Sequence, residues 1–315
     1  MVRQAFILAS GHSGSTLLNL ILGAHSKISA VSELTTLPVN VAHNLNCTCG
    51  VEINECAFWQ AVAGSLMTRL RIDIFANPYK LNLGFMPGSH FGDTPGDRRG
   101  YRAIWKLRNA AAYVAYRTGI PLETATRHLA SSVSNTLAVY EAVRVASGAP
   151  IVVDASKSYI KGVGIYDREP RETRLLLLTR DGRASYYSRL KRGVSRNASL
   201  AAWRDYYAHA LPILSRAVDN QHILRIRYED LAAQPTAEIR RICEFLNLEF
   251  EPRMIRFHET VQHSVGGNNM RFRGTQEIRL DTSWLDKISR DDLRYFEKRA
   301  GPLNKSLGYE ADSTA

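Results

Sequence analysis

Short apolar runs alternate with helical patterns along this chain. The runs end in polar or turn residues and lie at 4–9, 150–154, 174–179 and 222–227. Apolar residues recur at helical spacing in the segments 16–24, 122–146, 200–218 and 236–246. Runs that are apolar throughout are typical of parallel strands buried on both faces, and their alternation with helices predicts an α/β fold of three layers, a parallel sheet flanked by helices.

The region of about residues 40–120 lacks this alternation and predicts a long irregular insertion. Its aromatic residues are Phe58, Trp59, Phe75, Tyr79, Phe85, Phe91, Tyr101 and Trp105. They favour a partly apolar binding pocket there. The length of the chain suits one domain over residues 1–308 that carries this insertion, and the polar residues 309–315 are expected to fray.

The segment 5–18 combines a buried apolar run, a turn of small residues and the start of a helix. This order directs backbone N–H groups and a helix N-terminus toward one point, which is how proteins hold a phosphate or a sulfate. Ser15 and Thr16 add hydroxyl donors. The loop has His12 and lacks the Lys of the sequence Gly-x-x-x-x-Gly-Lys-Ser/Thr, so it predicts an anion other than a magnesium-bound triphosphate.

A second strand-to-helix segment at 174–188 carries groups suited to another anion. Arg180 lies at the end of the apolar run, and Ser188 follows eight positions later on the predicted helix. The planar guanidinium fork matches a phosphate, and the hydroxyl adds one more hydrogen bond. Ligands of parallel α/β sheets bind outside the carboxyl ends of the strands, so both motifs are predicted on the same edge.

In this order the two motifs resemble those of the sulfotransferases that use 3′-phosphoadenosine-5′-phosphosulfate (PAPS). The family's loop of the form basic-Ser-Gly-Ser/Thr-Ser/Thr corresponds to His12-Ser13-Gly14-Ser15-Thr16, and its Arg and Ser pair corresponds to Arg180 and Ser188. The segment that begins at Tyr228 and the loop 266–274 are similar to two later family segments. The resemblance covers the chain from about residue 4 to about residue 285.

The resemblance implies a P-loop-like sheet and a donor site for PAPS, with adenosine 3′,5′-bisphosphate (PAP) as the product. Residues Ser13, Gly14, Ser15, Thr16 and Leu17 would hold the 5′-phosphosulfate. Arg180 and Ser188 would hold the 3′-phosphate, and Tyr228 would contact the adenine. Asn268 and Arg271, in the C-terminal loop, are further donor-binding candidates. The acceptor would be a hydroxyl of a small molecule, a glycan, a lipid or a peptide, bound in the insertion.

Catalysis of this kind needs a base for the acceptor proton and donors around the departing group. Several branches of the family place a catalytic Glu about twenty residues past the loop, which corresponds to Glu33 here. Asp154, at the end of a predicted strand, is the alternative base. Lys157 corresponds to a family Lys that contacts the transferring sulfate. His12 replaces the usual Lys or Arg and would act either protonated or through a neutral N–H.

Composition agrees with an anionic nucleotide as a partner. The chain has 41 Lys and Arg against 30 Asp and Glu, a net charge of +11. The basic residues are scattered, so nucleic-acid binding is not predicted. The N-terminal apolar run is too short for a signal peptide or a membrane span, and we expect a cytoplasmic location without a transmembrane segment. A homodimer is compatible with the sequence, which leaves the oligomeric state open.

Three of the four cysteines cluster at Cys47, Cys49 and Cys56, and the fourth is Cys243. A zinc site that includes His43 is conceivable, although the spacing is not that of a standard zinc finger. A disulfide and reduced packing are the other two interpretations. Sulfuryl carries less charge than phosphoryl, so the reaction itself is predicted to require no metal, as in the family.

Two other classes of protein stay open at this point. A P-loop kinase of small molecules would need a loop Lys and a magnesium-binding carboxylate. A catalytically inactive nucleotide-binding scaffold would bind the nucleotide without turnover, and His12 is the feature that favours it.

Overall fold

Five parallel strands form the central sheet of a computed structural model that describes residues 1–84, 100–119, 123–272 and 278–310. The strands are β1 (Gln4–Leu8), β2 (Ile28–Ser32), β3 (Ile151–Lys157), β4 (Thr173–Thr179) and β5 (Ile223–Arg227), in the order β2-β3-β1-β4-β5. All four neighbouring pairs are parallel. The predicted α/β fold with a parallel sheet flanked by helices is therefore confirmed.

Helices connect the strands and cover both faces of the sheet. They are α1 (Ser15–Gly23), α2 (Leu37–Ala42), α3 (Ala57–Leu70), α4 (Tyr101–Thr118), α5 (Glu123–Ser147), α6 (Tyr159–Arg168), α7 (Gly182–Leu190), α8 (Arg196–Ala217), α9 (Tyr228–Ala233), α10 (Pro235–Phe245), α11 (Trp284–Lys287) and α12 (Arg290–Ser306). None of the helices within the described ranges is long and apolar enough to cross a lipid bilayer.

The side chains of the central strand alternate between two hydrophobic clusters. Phe6 and Leu8 pack on one face with residues of α3, α5, α6, α8 and α12. Ala5 and Ile7 pack on the other face with residues of α1, α9 and α10. This two-sided burial explains why the sequence of β1 is apolar at successive positions, because a strand with one solvated face would alternate with polar residues.

Two parts of the sequence fold differently from the prediction. Strand β2 was not predicted, because Ile28–Ser32 is short and contains two serines. The insertion at 40–120, predicted to be irregular, contains α3 and α4. The apolar positions Trp59, Val62, Ala63 and Leu66 have helical spacing and are buried. Phe85 and Phe91, and the side chains of Tyr101 and Trp105, lie outside the described residues.

The end of the chain is more ordered than predicted. Tyr309 is buried, and its hydroxyl donates to Glu229 at 3.0 Å and lies 3.0 Å from the Thr179 hydroxyl. The carbonyl of Glu310 accepts a hydrogen bond from Arg183. Tyr309 and Glu310 therefore belong to the folded part, contrary to the predicted frayed tail, and residues 311–315 lie outside the described residues.

The parallel arrangement determines where functional side chains can lie. The carboxyl ends of all five strands meet at one edge of the sheet. The residues that follow these ends are Gly11 and His12 after β1, Glu33 after β2, Lys157 closing β3, Arg180 after β4 and Tyr228 after β5. The sites predicted separately from the sequence are thus brought to one edge by the fold.

Packing between α7, α8 and α12 gives a first testable prediction. A Cβ added at Gly182 would lie 2.5 Å from Phe296 Cζ and 2.8 Å from Trp203 Cε2, whereas one added at Gly64 in α3 would meet no atom within 4 Å. We expect Gly182→Ala to lower the free energy of unfolding by about 1–3 kcal/mol through overpacking. We expect the matched Gly64→Ala to raise it by about 0.5–1 kcal/mol through helix propensity. Urea unfolding measures both, and equal effects of the two substitutions would contradict the described packing.

Candidate active site

The loop after β1 takes a conformation that requires glycine at one position. Gly14 is the N-cap of α1 and has φ of 86°, in the left-handed region. A Cβ at this position would lie 2.5 Å from Cδ2 of Tyr228. Both the dihedral angle and the close packing on Tyr228 therefore exclude a larger residue.

The N-terminus of α1 is available to an anion. No side chain caps it, and its first turn contains no acidic residue. The first N–H groups of a helix have no partner within the helix, and the helix dipole adds partial positive charge there. Ser15 and Thr16 begin this helix, as predicted for an anion-binding loop. The Ser13 side chain is buried against Ser10, with 3.5 Å between the two Oγ atoms.

A cavity of about 400 Å³ opens at the carboxyl ends of the strands, in front of this loop. Five of its wall segments follow the five strands, and a sixth comes from the C-terminal part of the chain. The residues on its wall are Gly11, His12, Gly14, Ser15, Thr16, Leu17, Glu33, Lys157, Arg180, Ser188, Arg189, Arg192, Tyr228, Gly267, Asn268 and Met270. Most of the donor-binding residues predicted from the sequence thus share one cavity.

Arg180 is held at the cavity wall by contacts on several sides. Its side chain donates to the carbonyl of His12 at 3.1 Å and pairs with Asp281 at 3.4 Å. The guanidinium lies 4.5 Å from the centre of the Tyr228 ring, a cation–π contact. Its carbonyl accepts from the buried Trp203 indole at 3.3 Å. These contacts fix the guanidinium before any ligand binds.

Ser188 and His12 contact each other on the cavity wall, with 3.1 Å between Ser188 Oγ and His12 Nδ1. Burial, followed by the charges of Arg189, Arg192, Arg180 and Lys157, lowers the pKa of His12 from 6.5 to about 4. The imidazole is therefore neutral at neutral pH in the free protein. These four cations therefore lie close enough to His12 to disfavour a proton on its ring.

Two of these cations were not predicted from the sequence. Arg189 follows Ser188 directly and donates to the carbonyl of Gly11 at 3.5 Å, and Arg192 lies in the turn just after α7. The sequence signal that could have indicated them is their position, one and four residues after Ser188. Among the described residues, the buried Nε atoms of Arg180 and Arg189 have no hydrogen-bond partner. Both side chains line the cavity, where the accessible N–H groups of a guanidinium can donate to an anion.

Glu33 and Lys157 form an ion pair on the opposite wall. About a fifth of each side chain is exposed, 23% for Glu33 and 20% for Lys157. Lys157 has φ of 69°, unusual for a residue other than glycine, and Tyr206 donates to its carbonyl at 2.6 Å. Strained backbone of this kind persists where the surroundings fix it, and here it turns the Lys157 side chain to Glu33.

Asp154, the alternative base, lies away from the cavity. It is fully buried and accepts hydrogen bonds from the Tyr140 hydroxyl at 2.8 Å and from the backbone N–H of Ser156 at 2.7 Å. Burial raises the pKa of its carboxyl group. Its environment is that of a structural group within β3, whereas Glu33 lines the cavity.

The C-terminal segment contributes one of its two predicted residues. The backbone N–H of Asn268 donates to Thr16 Oγ1 at 3.2 Å, which brings Asn268 to the helix N-terminus. Arg271 instead donates to the carbonyls of Ser264 and Asn46 and lines a separate cavity. The structure therefore does not bring Arg271 together with the other donor-binding candidates. Arg273 and Gly274, also part of the predicted loop, lie outside the described residues.

Known proteins that are similar to this chain are sulfotransferases. The sequence model of the sulfotransferase family matches residues 95–252, about half of the chain. A putative protein-tyrosine sulfotransferase of Caenorhabditis briggsae is 28% identical over 155 residues, which are 45% of this chain and 54% of the relative. A putative protein-tyrosine sulfotransferase of Caenorhabditis elegans is 28% identical over 149 residues, which are 44% of this chain and 57% of the relative. The matched region thus spans about half the length of these relatives.

Two solved structures share the whole fold. The sulfotransferase domain of the olefin synthase of Synechococcus PCC 7002 superposes with a TM-score of 0.51 at 19% identity, over 99% of this chain and 96% of that domain. The sulfotransferase domain of the curacin biosynthetic pathway gives the same TM-score and identity, over 99% of each chain. At 19% identity these superpositions show a shared fold alone. The match of the sulfotransferase sequence model to residues 95–252 shows the family. The chain belongs to the sulfotransferase family.

Proposed function

We propose that this protein transfers the sulfuryl group of PAPS to an acceptor hydroxyl and releases PAP. One observation carries the proposal. A single cavity has the uncapped N-terminus of α1 on one side and Arg180 with Ser188 on another, which suits a ligand with two separate anionic groups. The family match supports the same reaction class.

The donor site would divide between these two groups of residues. The backbone from Gly14 to Leu17, with the hydroxyls of Ser15 and Thr16, would hold the 5′-phosphosulfate through N–H and O–H donors. Arg180 and Ser188 would hold the 3′-phosphate. The guanidiniums of Arg180 and Arg189, which line the cavity, can donate to the anionic oxygens of this phosphate. Tyr228, stacked under Arg180, lies where it could contact the adenine.

Glu33 would act as the base. Bound PAPS supplies an activated sulfuryl group on a bridging oxygen of the 5′-phosphate. Glu33 would take the proton of the acceptor hydroxyl while the acceptor oxygen forms a bond to sulfur and the bond from sulfur to the bridging oxygen breaks. The electron pair of that bond leaves on the 5′-phosphate of PAP. Lys157 holds the Glu33 carboxylate in the cavity through their ion pair.

Positive charge around the leaving group would provide most of the rate acceleration. Lys157 lies at the cavity next to Glu33 and can donate to the transferring sulfuryl oxygens. His12 is neutral before binding, so it would first donate an N–H bond. Its proton affinity rises as anionic groups enter the cavity, because they offset the four surrounding cations.

The acceptor would be a hydroxyl, because the proposed base has to remove its proton. The relatives indicate which acceptor to test first. The two Caenorhabditis relatives are described as protein-tyrosine sulfotransferases, although the match spans only about half of each. A tyrosyl peptide is therefore the first acceptor, with a simple phenol and an aliphatic alcohol beside it. The acceptor pocket in the region 40–120 stays a prediction.

Binding of the 3′-phosphate gives the first prediction for this site. We expect PAP to stabilise the wild-type chain in a thermal-shift titration, with adenosine 5′-phosphate weaker and ATP–Mg²⁺ without selective effect. At 100 times Kd the stabilisation is about 2.7 kcal/mol. Arg180→Ala removes a charged donor, so PAP affinity should fall roughly 10- to 150-fold.

Arg174→Ala is the matched control, since Arg174 lies near the start of β4, at the opposite end of the strand from Arg180, and its side chain donates to the backbone carbonyls of Arg171 and Thr173. It should keep the response to PAP. A selective response to ATP–Mg²⁺, or equal responses to PAP and adenosine 5′-phosphate, would contradict the proposal and favour a kinase.

Replacement of the proposed base separates binding from turnover. Glu33→Gln keeps the size of the side chain but cannot accept the proton, so sulfate transfer from radiolabelled PAPS should fall about 10²- to 10⁴-fold. PAP affinity should stay unchanged. Glu244→Gln, on the exposed side of α10, should keep full activity. PAP binding in a wild-type chain that transfers sulfate to none of the acceptors would support the scaffold interpretation instead.

The titration of His12 is a third prediction. In NMR spectra of histidine-labelled protein, His12 should titrate near pH 4 without ligand and at a higher pH with PAP bound. Because the unfolded chain takes up this proton first, the contribution of His12 to the free energy of unfolding falls as the pH drops from 6.5 toward about 4. His12→Gln identifies the resonance. A midpoint near 6.5 in the free protein would contradict the described burial.

A further inference from the structure

Four metal-ligating side chains meet outside the proposed active site. Cys47, Cys49, Cys56 and His263 place one ligand atom each within 4.8 Å of one another. The three cysteines come from one short segment, and His263 lies more than 200 residues later in the chain. His43, which the sequence associated with the cysteines, is not part of this group. His263 could not be identified in place of His43 from the sequence, because tertiary packing brings it to the cysteines.

The distances between the ligand atoms fit a tetrahedral metal ion. Sγ of Cys49 and Sγ of Cys56 are 3.7 Å apart. His263 Nδ1 lies 3.7 Å from Cys47 Sγ and 3.3 Å from Cys56 Sγ. A tetrahedron around Zn²⁺ with Zn–S bonds of about 2.3 Å and a Zn–N bond of about 2.0 Å has edges of roughly 3.8 Å between sulfurs and 3.5 Å between sulfur and nitrogen. The spacing therefore leaves room for one zinc ion at the centre.

The backbone presents two of the thiols on a tight turn. Cys47 and Cys49 flank a turn in which Gly50, with φ of 92°, donates to the carbonyl of Cys47 at 2.9 Å. Cys47 in turn donates to the carbonyl of Val51 at 2.8 Å, which closes the turn. The turn brings Cys47 and Cys49 to the same side, as a chelate of two nearby thiolates requires.

The third thiol and the imidazole are held by α3. Cys56 is the N-cap of α3, so the start of the helix fixes the position of its thiol. Phe58, in the first turn, stacks on the His263 ring with 4.8 Å between centroids and 11° between planes. This stacking fixes the ring with Nδ1 toward the sulfurs. Cys47 and Cys56 are almost fully buried, so a bound ion would be shielded from water.

A neighbouring cation suits the charge of such a site. Three thiolates around Zn²⁺ leave one net negative charge. Arg271 donates to the carbonyls of Ser264 and Asn46, the sequence neighbours of His263 and Cys47, which fixes its guanidinium beside the cluster. This gives Arg271 a role that its predicted place in the donor site does not explain.

We propose that Cys47, Cys49, Cys56 and His263 bind one structural zinc ion. Binding would release the thiol protons and form three Zn–S bonds and one Zn–N bond, with no change in oxidation state. All four ligand positions are filled by protein, which is typical of structural and not of catalytic zinc. The three cysteine ligands form no disulfide in the structure, as metal binding requires.

The zinc site would fasten the segment that closes the donor cavity. Thr48, between two of the ligands, bonds Ser264 with 2.6 Å between the hydroxyl oxygens. Val265 then accepts from the N–H of Glu33 at 3.1 Å, and Asn268 reaches Thr16. The metal would thus hold the segment 263–268 against the proposed base and the anion loop. This consequence rests on the proposed function, whereas the metal site itself does not.

Elemental analysis of the full-length chain, purified under reducing conditions, tests the site. We expect about one zinc per chain in the wild type. Cys56→Ala and His263→Ala should lose most of it. Cys243→Ala is the matched control, a buried free cysteine in the other hydrophobic cluster, and should keep the full metal content. Wild-type zinc content in Cys56→Ala would overturn the ligand assignment.

A spectroscopic test avoids variants that fail to fold. The wild-type chain, treated with a chelator and a reductant, is titrated with Co²⁺. A tetrahedral site with thiolate ligands should give intense visible ligand-field bands and thiolate-to-cobalt charge transfer. Absence of both zinc and the cobalt spectrum, or a disulfide between Cys49 and Cys56 in the freshly purified chain, would overturn the proposal.

PAP binding by the metal-loaded and the chelated chain separates this proposal from the proposed function. Weaker PAP binding after chelation, restored by Zn²⁺, would support the link between the two sites. Unchanged PAP affinity after zinc removal would overturn that link. A zinc-loaded chain that does not bind PAP would leave the metal site standing and contradict the proposed function.

Discussion

The position of β1 between β3 and β4, all three parallel, is the constraint on which the site depends. A parallel sheet buried on both faces ends every strand at the same edge, and the central strand ends in the middle of that edge. The loop after β1 therefore opens between Lys157, at the end of β3, and Arg180, after β4. Helix α1 must also start there, because its apolar residues pack against one face of the sheet. Fold and anion site are thus one arrangement, and neither Lys157 nor Arg180 could move without moving a core strand.

Electrostatics add a second constraint. Arg180, Arg189 and Lys157 converge on a half-buried cavity, where like charges repel and burial disfavours them. Asp281 and the Tyr228 ring offset the charge of Arg180, and Glu33 offsets that of Lys157. His12 responds by remaining neutral. A site built in this way is ready for a polyanion, because an anion relieves repulsion that the folded chain already contains.

Much of this could be predicted from the sequence, and the exceptions have physical reasons. Four strands and the anion loop follow from local apolar runs and small residues. Strand β2 was missed because its neighbours, and not its own composition, place it in the sheet. Glu33 needed a family resemblance, since a single carboxylate in a loop carries no local signal. His263 could not be matched to the cysteines, because contacts across the whole chain length bring them together. The roles of the site residues and the acceptor stay predictions.

A crystal structure of the complex with PAP would show whether the loop after β1 and Arg180 bind the two phosphates of one ligand. We expect the 5′-phosphate at the backbone N–H groups of residues 14–17 and the 3′-phosphate on Arg180 and Ser188. Glu33 and Lys157 should then face the side of the 5′-phosphate from which sulfate would leave. A complex in which PAP binds elsewhere, or in which Arg180 keeps its contacts with His12 and Asp281 and does not touch a phosphate, would contradict the proposed donor site.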